Sequence, residues 1–272
     1  MKTKTIYLLV AMTISSFASA QNSFSLEEMK TLPKDLQLKN EIQKYEVITD
    51  HFTSDIFCHF INKMRVKGEY TRGLDGGEVK WNNVSVAMSM AENAEFSQGT
   101  PISYMEDFTY FPGEDMIKAD KFVTFKEYSA FTKNLVWDML AIEGFAWSNF
   151  GSLKLNEDYA AKDFNGKIDL AGEGFFENKD VRLTWTGISE RNGETCAVIN
   201  YRTFRNPLEV TAEGMNMKGR SHYWGTIWVS LEDKEIEHAV LYEDVIMEMI
   251  LPEQTQKQAL NITREITMKK LL

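Results

Sequence analysis

The stretch SHYWGTIWVSLEDKEIEHAVLYEDVIMEM, residues 221–249, predicts two long strands joined by an acidic turn. Alternation along the first strand places Tyr223 and Ile227 on one face, and Trp224 and Trp228 on the other. The two tryptophans would lie about 13 Å apart along the strand, since each residue advances roughly 3.3 Å. A sheet needs only one apolar face for its core. The second face therefore indicates either a contact with the rest of the chain or a surface for a ligand.

Further strands are predicted on both sides of this stretch. Turn sequences with Asn-Gly or acidic residues separate segments rich in Val, Ile, Phe and Tyr, and a two-glycine turn at 74–78 predicts a hairpin. The predicted strands lie near residues 45–52, 55–70, 78–90, 167–176, 180–189, 195–205, 221–231, 235–250 and 259–270.

One long helix is predicted over residues 129–150, with Ser129 as its N-cap. Apolar residues at helical spacing mark one face, but further apolar side chains, including Trp137, extend that face almost all the way round. A helix of this kind has to be buried on most sides. We expect it to lie in or against the concave face of the sheet, and to meet part of the tryptophan face.

The predicted fold class is α+β: a large curled antiparallel sheet, or half-barrel, of about eight or nine strands with this one long buried helix. Residues 45–272 are predicted to form a single domain, because no repeat or flexible linker divides them. Residues 21–44 are predicted to be a helical or irregular lead-in. This order of elements resembles the half-barrel fold of periplasmic lipid and lipoprotein carriers of the localisation-factor type. The resemblance covers most of the chain after residue 20 and includes no shared residue motif, so it assigns no site residue.

The segments GETCAVINY and YWGTIWVSLEDKEIEHA, together with the N-terminal sequence, resemble uncharacterised secreted proteins of the Bacteroidota. Residues 1–20 have the pattern of a secretory signal peptide: Lys2 and Lys4, an apolar stretch at 6–14, and the small residues Ala-Ser-Ala at 18–20. We therefore expect an exported protein, periplasmic or extracellular. No later segment of the sequence is long and apolar enough to predict a transmembrane helix.

Charge and residue counts exclude several partners and cofactors. The formal net charge is -10, and removal of Lys2 and Lys4 would take it to -12, which disfavours nucleic acid as a partner. Two cysteines, Cys58 and Cys196, are too few for a Cys-rich zinc site, and their spacing leaves open whether they pair. The four histidines lack metal-site and protease spacing, and no nucleophile motif occurs. The sequence thus predicts no cofactor, no metal and no catalytic residue, and it leaves the oligomeric state open.

The candidate ligand-binding residues are aromatic, with one buried cation: Trp224, Trp228, Trp185, Tyr242, Trp137 and Arg264. Arg264 shares a face with Ile262 and Ile266, so it requires a carboxylate or a ligand anion. The face of the preceding strand with Tyr242, Asp244 and Glu248 offers such partners.

Three functions fit these observations. The first is a non-enzymatic exported protein that binds an apolar or amphipathic, lipid-like molecule on the curled sheet. The second is a structural or partner-binding module that docks another envelope protein on the tryptophan face. The third is a hydrolase acting on envelope polymers, although the sequence nominates no residues for it.

Overall fold

The computed structural model describes residues 29–39, 41–212, 215–250 and 257–271. The predicted signal peptide at 1–20 and the first residues of the lead-in lie outside this part of the chain. Within the described lead-in, the chain is irregular rather than helical before the first strand begins at Gln43. Leu32 nevertheless packs into the core, and Thr31 forms a bridge with Lys154.

The described residues form one antiparallel sheet of 13 strands. The strands are β1 Gln43–Asp55, β2 Phe60–Arg72, β3 Val79–Ser89, β4 Thr100–Pro101, β5 Phe108–Tyr110, β6 Asp158–Ala160, β7 Gly166–Asp169, β8 Gly174–Asn178, β9 Arg182–Arg191, β10 Glu194–Ala212, β11 Met215–Ser230, β12 Ile236–Ile250 and β13 Lys257–Lys270. Their order is β4-β3-β2-β1-β13-β12-β11-β10-β8-β7, while β5 pairs with β3, β9 with β10, and β6 with β9. The sheet is not closed along this path. Pairing of β1 with β13 joins its N-terminal and C-terminal halves.

The prediction of eight or nine strands was too low, and the described chain is mostly β. Three short strands outside the predicted segments, β4, β5 and β6, and a small hairpin in place of one predicted strand account for the difference from nine strands. That hairpin replaces the single strand predicted at 167–176: the chain turns at Ala171 and Gly172, which both have positive φ, so β7 pairs with β8. The hairpin predicted at 74–78 is confirmed, with Gly76 and Gly77 also at positive φ between β2 and β3.

One α-helix, α1 Ser129–Trp147, occurs in the described residues. The N-cap prediction was wrong, because Ser129 is already helical and the left-handed residue Tyr128 precedes it without a side-chain cap. Irregular segments also pack on α1, in addition to the sheet. For example, the Trp137 indole donates a hydrogen bond to the Met116 carbonyl at 2.9 Å, and Phe145 packs edge-on against Phe164. The predicted burial of the helix on most sides is thus confirmed.

The inner face of the sheet curves around α1. Side chains of the helix contact four of five consecutive strands, in the pairs Phe131–His51 on β1, Glu143–Tyr70 on β2, Asp138–Arg264 on β13 and Phe145–Tyr223 on β11. Glu143 and Phe145 are two residues apart on the helix, yet they contact β2 and β11, which would lie about 19 Å apart in a flat sheet. These contacts place α1 on the concave face.

The two cysteines are not paired. Cys58 is exposed in the turn after β1, and Cys196 is buried in β10. Burial raises the pKa of the Cys196 thiol to about 12, so this thiol stays protonated and unreactive.

Candidate functional site

Strand β11 alternates as predicted, but its tryptophan face is the outer face of the sheet. Tyr223, Gly225 and Ile227 are buried on the inner face, whereas the Trp224 side chain is 43% exposed. The helix packs on the inner face, where Phe145 stacks on Tyr223 with ring centroids 6.1 Å apart. The expected contact between α1 and the tryptophans is therefore wrong.

The outer face carries a row of aromatic rings with polar neighbours. Trp224 stacks on Tyr242 of β12, with centroids 6.0 Å apart and ring planes at 27°. Trp228 packs on His238 at 5.1 Å, and the Arg191 guanidinium lies 4.7 Å from the Trp228 ring centroid. Three of the six candidate ligand residues, Trp224, Trp228 and Tyr242, thus lie together on a surface of the sheet.

The other three candidates lie on the inner side. Trp185 is fully buried, and its indole donates to the Gly187 carbonyl at 2.7 Å, so it is a core residue of β9. Trp137 and Arg264 line a cavity between α1 and the sheet. The structure therefore divides the predicted set between two faces.

The cavity has a volume of about 560 Å³ and lies between the first half of α1 and one end of the inner face. The helix presents Ala130, Asn134, Trp137 and Ala141 to it, which are spaced three or four residues apart and so share one side of the helix. The facing wall is mostly apolar. Its residues include Met64, Phe176, Leu208, Val245, Met247 and Ile262.

A buried ion cluster lies at the base of the cavity. The Arg264 guanidinium contacts the Glu243 carboxylate on β12 and donates to Asp138 of α1 at 2.5 Å. Glu243 also accepts a hydrogen bond from the Ser221 hydroxyl at 2.5 Å. Pairing of Arg264 with a carboxylate is confirmed. The predicted partners were wrong, because Tyr242, Asp244 and Glu248 alternate with Glu243 and belong to the other face of β12.

Burial and charge act against each other in this cluster. Burial raises the pKa of Asp138 to about 6, although Arg264 pulls it down. Burial also disfavours the charged guanidinium, but Asp138 and Glu243 together hold the pKa of Arg264 above its ordinary value. At neutral pH one cation is therefore shared between two carboxylates.

His51 lies beside this cluster with no polar partner of its own. Its side chain is 5% exposed, and neither ring nitrogen makes a hydrogen bond of good geometry with any described residue. The ring packs edge-on against Phe131, with centroids 5.1 Å apart. Burial, and then the charge of Arg264, lower the pKa of His51 well below its ordinary value, and the Met64 backbone offsets only part of this. The imidazole is therefore neutral at pH 7.

A second pair of opposite charges lies in the cavity wall, where the Lys133 ammonium donates to Glu173 at 2.6 Å. Lys133 is buried, but its partner is partly exposed. The positive charge of Lys133 and the negative charge of Glu173 neutralise each other. His51, Asp138, Lys133 and Glu243 were not among the predicted site residues.

Another acidic group lies at the opposite end of the sheet. Carboxylate oxygens of Glu194, Asp233 and Glu237 come within 4.8 Å of one another. The Lys270 ammonium contacts Glu237 and lies 3.9 Å from Glu194. The Lys270 ammonium thus pairs with these carboxylates. The four residues form an ion-pair cluster of the core.

Comparisons with known proteins leave the family open. No protein-family profile and no curated protein matches the chain. A solved structure of lipovitellin, described as showing lipid-protein interactions, matches with a TM-score of 0.43 and 11% identity. The match covers 85% of this chain but 25% of the lipovitellin chain. In the part of the chain that the structure describes, no helix is long and apolar enough to cross a membrane.

Proposed function

We propose that this chain is a non-enzymatic binding protein that holds an apolar or amphipathic, lipid-like molecule between α1 and a half-barrel sheet. The observation that carries the proposal is the cavity of about 560 Å³. Small-molecule sites span about 300–1,000 Å³, and they combine apolar walls with a few polar groups. The cavity has both features, since aliphatic and aromatic side chains surround the His51 and Arg264 cluster.

Close packing of protein interiors supports the same proposal. Cores are filled about as densely as organic crystals, because an unfilled apolar space loses the dispersion contacts on one side. The other end of this sheet follows that rule: Trp81, Tyr70, Tyr45 and Trp185 are all fully buried there. A ligand-sized opening at only one end of the concave face is best explained by a molecule that fills it.

The ion pairs at the base of the cavity favour binding over catalysis. A general acid or base needs a group that is free to exchange a proton with a substrate. Asp138 and Glu243 are both held by Arg264, and Glu243 accepts a further bond from Ser221. His51 has no such partner, but burial and the charge of Arg264 lower its pKa well below the ordinary value, which makes it a weak base. The hydrolase alternative therefore gains no support from this site.

The outer aromatic row supports a second candidate, the partner-binding module. Trp224 and Tyr242 are 43% and 39% exposed, and they stack into one surface. Exposed aromatic side chains are frequent at protein interfaces. If this candidate is correct, substitutions of outer-face aromatic residues abolish binding of the protein partner, and the cavity holds no ligand.

Titration with the neutral fluorescent probe N-phenyl-1-naphthylamine separates the two candidates. Ala141→Phe places a ring in the cavity, and Trp224→Ala removes an aromatic ring from the outer face. We expect one probe site in the wild type, its loss in Ala141→Phe and its retention in Trp224→Ala. Both variants should keep the wild-type circular dichroism spectrum. A site that survives Ala141→Phe, or that disappears with Trp224→Ala, contradicts the cavity proposal.

We also propose export, with cleavage between Ala20 and Gln21, from the signal-peptide pattern in the sequence. Intact-mass measurement of the protein secreted by an exporting bacterial host tests this step. The expected mass lacks residues 1–20. A full-length product retained in the cytoplasm contradicts it.

A further inference from the structure

His51 is a buried polar side chain of the cavity wall that lacks a protein partner. It is 5% exposed, it lines the cavity, and neither ring nitrogen makes a hydrogen bond of good geometry in the described chain, although the Met64 backbone lies close enough to raise the pKa of the imidazole slightly. Buried polar groups are nearly always hydrogen-bonded, because leaving one unpaired is costly. A neutral imidazole offers one donor and one acceptor. A ligand hydroxyl that packs against His51 can pair with the ring nitrogen that the Met64 backbone does not contact.

The charges around His51 disfavour an ionised head group of either sign. An anion would lie beside Asp138 and Glu243, which outnumber their shared cation Arg264 even though the Nε donor of that guanidinium is unpaired. A cation would lie beside Arg264, which is directly opposite His51 on the neighbouring strand. The pair Lys133–Glu173 adds no net charge. In an apolar cavity, an unpaired charge also loses its hydration.

We infer that the ligand of this cavity carries an uncharged hydroxyl head group that binds at His51, on an aliphatic chain that runs along the apolar wall. A hydroxyl group both donates and accepts, as the neutral imidazole does. This inference rests on the proposed function and adds the class of ligand to it.

The register of the sheet provides a path for the aliphatic chain. On the inner face, the pair next to Arg264 and Glu243 consists of Ile262 on β13 and Val245 on β12. The inner pair after that includes Met247 of β12. All three side chains line the cavity. Along β13 and β12 the wall thus changes from the charged pair beside His51 to apolar side chains, while Thr53 and Asn62 line the cavity on β1 and β2. The apolar strip on β13 and β12 matches a molecule with one polar end.

Three twelve-carbon probes that differ only in their head group test the inference: 1-dodecanol, dodecanoate and dodecylamine. Each displaces N-phenyl-1-naphthylamine from the purified chain at pH 7.5. An alcohol enters any apolar cavity more readily than an ion does, so the deciding comparison is the effect of His51→Phe. We expect this variant to weaken dodecanol binding about fivefold relative to its own affinity for the fluorescent probe, the equivalent of about one hydrogen bond.

Two further variants serve as controls. His51→Gln keeps a donor and an acceptor on its amide, so it should bind dodecanol as the wild type does. Met64→Leu changes an apolar cavity residue opposite His51 on β2 and should affect no head group selectively. Thermal unfolding of each variant reports whether it is folded.

The outcomes distinguish the head-group inference from the proposed function. Dodecanoate or dodecylamine binding as tightly as dodecanol to the wild type overturns the inference, and so does dodecanol binding that His51→Phe leaves unchanged. In both cases, binding of N-phenyl-1-naphthylamine to the wild type still supports a ligand site in the cavity. Failure of the wild type to bind the fluorescent probe overturns the inference and the proposed function together.

Discussion

His51 and Arg264 lie directly opposite each other on the neighbouring strands β1 and β13, and both side chains line the cavity. The same register continues to Glu243 on β12 and Tyr223 on β11. One polar row thus crosses four strands at a single level of the inner face. Arg264 pairs with Glu243 within this row, whereas the Arg264 Nε donor and the two ring nitrogens of His51 make no hydrogen bond of good geometry in the described chain. Unpaired polar groups on a cavity wall are a feature of binding, since stability alone would favour apolar residues at those positions.

Replacement of His51 by Phe should stabilise the ligand-free protein. The variant removes two buried nitrogens without partners and keeps a ring that can pack against Phe131. We expect a gain of about 1 kcal/mol in the free energy of unfolding, the lower end of the cost of an unsatisfied buried polar group. Urea denaturation at pH 7.5 measures it. A loss of stability would show that His51 has a structural role.

The stability difference between His51→Phe and the wild type should grow as the pH falls. The pKa of His51 in the folded protein lies well below its ordinary value, chiefly because of burial. Below about pH 6.5 the unfolded chain gains a proton that the folded ring resists, so the wild type loses up to about 1.4 kcal/mol per pH unit relative to the variant. Asp138, Glu243 and Arg264 are present in both proteins and contribute little to the difference. Denaturation curves at pH 7.5, 6 and 5 test this; a constant difference contradicts it.

Replacement of Arg264 by Met should be strongly destabilising. It leaves Asp138 and Glu243 as two buried carboxylates without their cation. The expected loss is about 3–5 kcal/mol, as for other broken buried ion pairs. The matched control combines Arg264→Met with Asp138→Asn and Glu243→Gln, which removes all three charges and should recover most of the loss. If the triple variant is no more stable than the single one, the ion cluster is not the cause.

Gly225 should tolerate no side chain, because Tyr201 crosses over it. The Tyr201 hydroxyl donates to the Val240 carbonyl at 3.0 Å, and a Cβ on Gly225 would lie 2.3 Å from that hydroxyl oxygen and 2.0 Å from that carbonyl oxygen. We expect Gly225→Ala to cost about 3 kcal/mol or more through overpacking. Gly113→Ala is the control: its backbone is extended and no atom approaches its Cβ position, so a change within about 0.5 kcal/mol is expected. Equal thermal unfolding of the two variants contradicts this explanation.

Alternation in the sequence predicted which residues of β11 share a face, but not which face is inner. Both faces carry large apolar side chains, so the pattern of 221–231 fits either orientation. Which face is the inner one becomes clear only in the folded structure, where Tyr223 packs among buried neighbours. Short strands were missed for a related reason: β4 and β6 contain two and three residues, too few for a period to show.

The cavity itself has no signature in the sequence. Met64, Val245, Met247 and Ile262 line it, and the same residue types fill ordinary cores. His51 was more accessible to prediction, because Val47 and Thr49 share its face of β1 and both are buried. A histidine on a core face is a buried polar group, and it invites a search for its partner.

Native mass spectrometry tests the central claim most directly. The protein is recovered from an exporting host, incubated with a total lipid extract of that host and transferred to a volatile buffer. We predict a complex with one small amphiphile per chain, which Ala141→Phe loses and Trp224→Ala retains. A chain that stays without a ligand, or an adduct that disappears with Trp224→Ala and persists in Ala141→Phe, would contradict a binding site between α1 and the inner face of the sheet.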